Sequence, residues 1–196
     1  MFKRIFNWFK RKLGFGAVVS IPKVPTTEPT IEVAAPTNPL GSVATSKVIL
    51  GNVQGIIAGE YKMIAEAVEL ANKVLSSQEF KDEVLKTRFT STEGMTNADI
   101  FKKMTEQAIV NVTMFYGSYM QNFVWKTQGY EQGDGVVYAN RYFITKAHEM
   151  ASLIIHEVSH QKGFHHVHAG EYTSVPYRMN EIFETVSEQI GINESV

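Results

Sequence analysis

Cysteine is missing from the sequence altogether. That excludes disulfides and thiolate–metal sites, so any metal in this protein must be held by His, Asp or Glu. It also leaves the redox compartment open. Proline is scarce and uneven: Pro22, Pro25, Pro29, Pro36 and Pro39 are five of the six, and only Pro176 lies beyond them. No apolar run approaches the ~18 residues of a membrane span. Acidic residues are absent from the first twelve positions, which carry Lys3, Arg4, Lys10, Arg11 and Lys12. The other fourteen bases against twenty acids leave the remainder at −6. An acidic body of that kind argues against nucleic acid as a ligand. Histidine, finally, is absent from most of the chain, and all six lie between His148 and His168.

What is present has the make-up of a soluble globular protein, 44% apolar and 20% charged over 196 residues, enough for one domain and some extra. Residues 2–13 place Phe2, Ile5, Phe6, Phe9 and Leu13 on one helical stripe, with Lys3, Arg4, Asn7, Lys10 and Arg11 opposite and Trp8 at the border. A short basic amphipathic helix of this type fits a membrane surface, a protein partner or the chain's own body. Leu13 to Ile21 offers a short h-region for a secretory signal, but its glycines and the lack of a small-residue cleavage site count against one. The proline-bearing stretch that follows reads as an extended linker. Three parts are therefore expected: an N-terminal helix over residues 1–15, a linker over 16–47 and a domain over 48–196. No internal repeat is visible.

The domain is expected to be α+β, with a helical N-terminal part, a small and mostly antiparallel sheet, a long active-site helix and a C-terminal helix. Apolar residues at three- and four-residue steps predict a helix over Ile56–Leu75, a second over Gln78–Lys86 after Ser76-Ser77, and a third from a Thr96 or Asn97 cap to about Glu106. Runs rich in Val, Phe, Tyr and Trp predict strands at Ile109–Tyr116, Asn122–Lys126 and Gly135–Ala139, with turn signals at Gly129 and Gly133-Asp134-Gly135. A helix should then run from a Thr145 cap to about Lys162, with Gly163 as its left-handed end, and Glu181–Ile190 reads as the last helix.

The chemistry gathers in the histidine-bearing helix. His156 and His160 stand four apart, with Glu157 directly after the first. Four residues apart on a helix means one face, with Cβ atoms ~5–6 Å apart, so two imidazoles can share a metal ion. Glu157 points about 100° away round the helix. It is free to hold and deprotonate a water on that ion, the chemistry of H-E-x-x-H peptidases. The flank Ala151-Ser152-Leu153-Ile154-Ile155 suits a helix buried beneath a cleft. Gly163 follows His160 by three positions, and His166 follows Gly163 by three. A straight helix would carry His166 about 9 Å beyond His160, whereas a tight turn at glycine can bring it back.

Written out, HEVSHQKGFHH has the pattern H-E-x-x-H-x-x-G-x-x-H, and here the sequence resembles the metzincin metallopeptidases. The resemblance implies a zincin-like fold, with zinc bound by His156, His160 and His166 and Glu157 as general base. Three protein ligands leave a fourth position for water. It also implies an endopeptidase acting on protein or peptide, with an extended substrate pairing with the strand Gly135–Ala139 or its neighbour. Metzincins keep a methionine in a turn beneath the metal, and Met179 before the last helix is the candidate, with an ordinary core role as the other reading. Tyr177 is a candidate donor to the oxyanion; in the family such a tyrosine follows the methionine, whereas here it precedes it. A second arrangement stays open. Glu181, 21 residues after His160, resembles the helix-borne glutamate that completes thermolysin-like sites, with Glu184 and Glu188 on related faces. Alternatively, Glu181 orients a ligating imidazole. His165 and His168 could substitute for His166 by a small loop shift, or serve as exposed or supporting groups; His148 reads as surface or supporting. The rival to an enzyme is a catalytically inactive metallopeptidase-like module, tethered for interaction by its N-terminal helix.

Overall fold

A computed structural model describes residues 47–124, 127–130, 134–166 and 172–192. The basic stripe over residues 2–13, the expected linker and His168 lie outside these segments. Within them the chain is α+β, with five helices and a mixed four-stranded sheet.

The first element is a strand, β1 (Val48–Gln54), where the helical reading began only at Ile56. Gly51 and Asn52 hide it by interrupting the apolar run Val48-Ile49-Leu50. The structure absorbs them as a register shift between Leu50 and Val53. Helix α1 (Glu60–Leu75) follows and buries Ile64, Ala67, Val68, Ala71, Val74 and Leu75 along one face. It starts at Glu60, after an N-cap at Gly59 with φ +89°, rather than at Ile56. Its Asn72 pins the start of β1. The amide oxygen accepts from the N–H groups of Lys47 and Val48 at 2.7 and 2.8 Å, and Nδ2 donates to the Val48 carbonyl. Helices α2 (Gln78–Lys86) and α3 (Asn97–Met104) form where expected, capped by the hydroxyls of Ser77 and Thr96.

Strand β2 (Ala108–Phe115) alternates cleanly. Ala108, Val110, Val112 and Met114 are buried, and the residues between them are not. Where a strand was expected over Asn122–Lys126, the described residues to Val124 form a single π-helical turn, Met120–Val124, none of whose residues is buried, and residues 125–126 lie outside the described segments. Its composition is β-like, but side-chain bonding decides the local path. Asn122 donates to the Gly117 carbonyl, and the buried Asn140 donates to Asn122 and to the Thr127 carbonyl. Strand β3 is only Gly129–Tyr130, and β4 is Val136–Asn140.

The sheet order is β1-β2-β4-β3. β1 pairs with β2, and β2 with β4, in parallel; only β3 and β4 run antiparallel. The expectation of a mostly antiparallel sheet is therefore wrong. Three helices separate β1 from β2, which gives the chain room to return to the same end, and only the short β3–β4 link is a reversal. Of the two strands expected to offer an edge, Gly135–Ala139 or its neighbour, β4 is interior and its neighbour β3 lies at the edge.

Helix α4 (Ala147–Gln161) packs against α1, α5 (Val175–Gln189) and the strands β2 and β4. It is consequently buried on several faces, through Met150, Ala151, Ile154, Ile155 and Val158. Its start lies one residue past the expected cap. Lys146 holds the N-cap position, and the Glu149 carboxylate accepts from the N–H groups of Thr145 and Lys146 at 2.8 and 3.1 Å. α5 begins at Val175, six residues ahead of the expected Glu181. Pro176 in the first turn is no obstacle, because an N–H there has no partner within the helix anyway. Among the described residues no helix is long and apolar enough to cross a membrane.

Beyond α4 the ring of Phe164 is fully buried in the core. Phe164→Ala should lower the unfolding free energy by about 3–5 kcal/mol, measured by urea denaturation. A loss under about 1 kcal/mol would mean that this ring does not anchor the chain here.

Candidate metal centre

Two hydrogen bonds end α4 and turn the chain. The Gly163 N–H donates to the His160 carbonyl at 2.8 Å, and the Phe164 N–H donates to the Ser159 carbonyl at 3.1 Å. With Gly163 at φ +90°, this is a Schellman end, the left-handed stop read from the sequence. Phe164 then does two things. Its ring drops into the core, and its carbonyl lies 2.8 Å from Nδ1 of His160. A carbonyl can only accept, so Nδ1 carries the proton, and Nε2 of His160 keeps its lone pair for a metal.

The turn brings His166 back to the helix it left. Its Nε2 lies 3.3 Å from Nε2 of His156, and its Nδ1 lies 2.8 Å from the Ser174 hydroxyl. One ring nitrogen from each of His156, His160 and His166 falls within 4.8 Å of the other two. The three rings are inclined, with centroids 4.9–5.3 Å apart. These three could hold a metal ion. Burial first, and then the neighbouring imidazoles of His160 and His166, push the His156 pKa well below 6.5. The ring is therefore neutral at physiological pH, the state in which histidine binds a metal.

Glu157 is buried beside this group. Tyr177 also adjoins the group, its ring 4.3 Å from that of His166 and 5.5 Å from that of His156. Burial raises the Tyr177 pKa, helped by Tyr172 and by the Glu157 carboxylate. Its phenol accordingly stays protonated and can donate a hydrogen bond. Tyr172 stands behind it at 5.5 Å.

Other candidates are placed elsewhere. Glu181 accepts from Arg178 one turn back on α5, and it is not among the three groups that converge. Glu184 lies 2.7 Å from Nε2 of His148, a contact that ties α5 to α4. Glu188 is exposed, as is His165, whose ring sits 6.2 Å from that of His160. Met179 is fully buried inside α5 rather than in a turn before a helix, because that helix starts earlier than its acidic stretch suggested. Three contributors escaped the sequence reading: Ser174, Tyr172 and the Phe164 carbonyl. Only Ser174 had left a signal, as a serine just before a helix with proline in its first turn.

Comparison with known proteins yields no relative: no protein family, no curated protein and no solved structure matches the chain.

Two measurements follow from the geometry. Gly163→Ala forces a side chain into the left-handed region at about 1–2 kcal/mol, and should weaken metal binding by displacing His166. His166→Ala should weaken zinc binding by at least about tenfold in chelator competition, while Glu181→Ala leaves it unchanged. The reverse pattern would make Glu181 the third ligand.

Proposed function

We propose that the protein is a zinc-dependent peptidase of the metzincin type. One observation carries the reading: three imidazoles converge beside a buried glutamate that is adjacent in sequence to the first of them. Zinc is the metal proposed because the donor set is all imidazole nitrogen, with no thiolate in the chain. When bound, the ion would supply Lewis acidity and lower the pKa of water toward about 7.

The chain's own residues do the rest. Glu157 takes a proton from the attacking water and passes it to the leaving amine as the peptide bond breaks. Its burial beside Tyr177 keeps bulk water from competing for that proton. Tyr177 donates its phenolic hydrogen to the oxygen of the carbonyl under attack, where negative charge develops. Phe164 and Ser174 fix the rings of His160 and His166, so the nitrogens are aimed before a substrate arrives. An extended peptide would add to the sheet at β3, the outer strand beside β4.

Glu157→Gln should retain zinc and lose peptide hydrolysis by about 10²–10⁴-fold. Undiminished hydrolysis by that variant would end this mechanism. Tyr177→Phe should lower kcat by about 10²-fold with KM little changed. Stoichiometric zinc in a protein that cleaves no peptide or denatured protein would favour the inactive-module reading instead.

A further inference from the structure

His160 is steadied from within its own turn, but His166 is held from another element. Ser174 occupies the N-cap position of α5, yet its hydroxyl makes no capping hydrogen bond. Pro176, two residues on, has no N–H, so the first turn of α5 presents one donor fewer to a cap. The serine is wholly buried, and its Oγ lies 2.8 Å from Nδ1 of His166. A residue type suited to capping has been turned from its own helix onto an imidazole.

Its backbone is fixed from a third place. Ser174 forms an isolated parallel bridge with Thr90, in the segment between α2 and α3. The Thr90 N–H donates to the Thr173 carbonyl at 2.8 Å, and the hydroxyls of Thr90 and Thr173 are 3.0 Å apart. The serine that meets His166 is thus clamped to the scaffold independently of the segment leading out of His166.

We propose that Ser174 is the positioning residue for the third imidazole. Its Oγ, bonded to Nδ1, fixes the ring with Nε2 turned toward His156 and His160, and with a metal on Nε2 that Oγ accepts the Nδ1 hydrogen. The bridge to Thr90 sets the distance at which it does so. This rests on the metal-binding reading of the triad. Partners of this kind fix ring orientation and change metal affinity by about 10–100-fold when removed.

The test compares zinc affinity by chelator competition, and the visible spectrum of the cobalt-substituted protein, in wild type, Ser174→Ala, Ser174→Thr and Ser187→Ala. Ser187 is buried on the same helix α5 and lies outside the site. Ser174→Ala should weaken zinc by about 10–100-fold and reduce the intensity of the cobalt bands. Ser174→Thr, which keeps the hydroxyl, and Ser187→Ala should both stay near wild type. If Ser174→Ala does not fold, Ser174→Cys replaces it, keeping the volume but offering a poor hydrogen-bond partner. Wild-type affinity and spectrum in the variant lacking the hydroxyl would overturn the assignment while leaving the metal site intact. Equal weakening in Ser187→Ala would also overturn it, showing a general effect of losing a buried hydroxyl. A wild-type protein that binds neither zinc nor cobalt would overturn the metal-binding reading itself, and this proposal with it.

Discussion

The reversal at the end of α4 is the constraint on which the site depends. A helix that ran on past Gln161 would put His166 out of reach of His156 and His160. One left-handed glycine and two hydrogen bonds stop it, but these alone would leave a mobile loop. The buried ring of Phe164 makes the reversal permanent, because any other path for the chain would expose that ring to water. The same residue presents its carbonyl to His160. The turn is therefore held from below by the hydrophobic core, and the arrangement of the three imidazoles inherits the core's rigidity.

The helix feeding this turn is held as firmly. α4 lies between the sheet and two other helices, so a shift along its axis would unpack apolar contacts on several sides at once. Glu157 and the two helical histidines are thereby registered against β2 and β4, and against α5, whose first turn carries Tyr177. An acid–base pair and a metal site need positions held to fractions of an ångström. A helix buried on several faces is one way to provide them.

Local signals carried most of what was legible in advance. The helix over Gln78–Lys86, the cap at Thr96 and the glycine stop after α4 are properties of a few adjacent residues, and each appears as read. The candidate triad was legible for the same reason, since spacing and one glycine specify it. Features set by distant contacts were not. The parallel sense of the sheet depends on how three helices return the chain. The π-helical turn depends on Asn140, which is remote in sequence from Gly117 and Asn122. The early start of α5 was obscured because a proline and a tyrosine open it rather than acidic residues. The hold of Ser174 on His166 crosses between elements, and no pattern along the chain announces it.

The bridge between Thr90 and Ser174 gives the missing cysteines a further meaning. His156 and His160 belong to α4, His166 to the turn, and the serine behind His166 to the start of α5, itself tied to the α2–α3 connector. A metal ion held by His156, His160 and His166 would tie the turn after α4 to that helix, in a chain with no cysteine to form a disulfide. It would bind the folded chain and not the unfolded one, adding stability in proportion to the logarithm of free metal over its dissociation constant. In such a protein metal supply and proteolytic lifetime are coupled. Starvation for the ion would remove the staple along with any activity it supports.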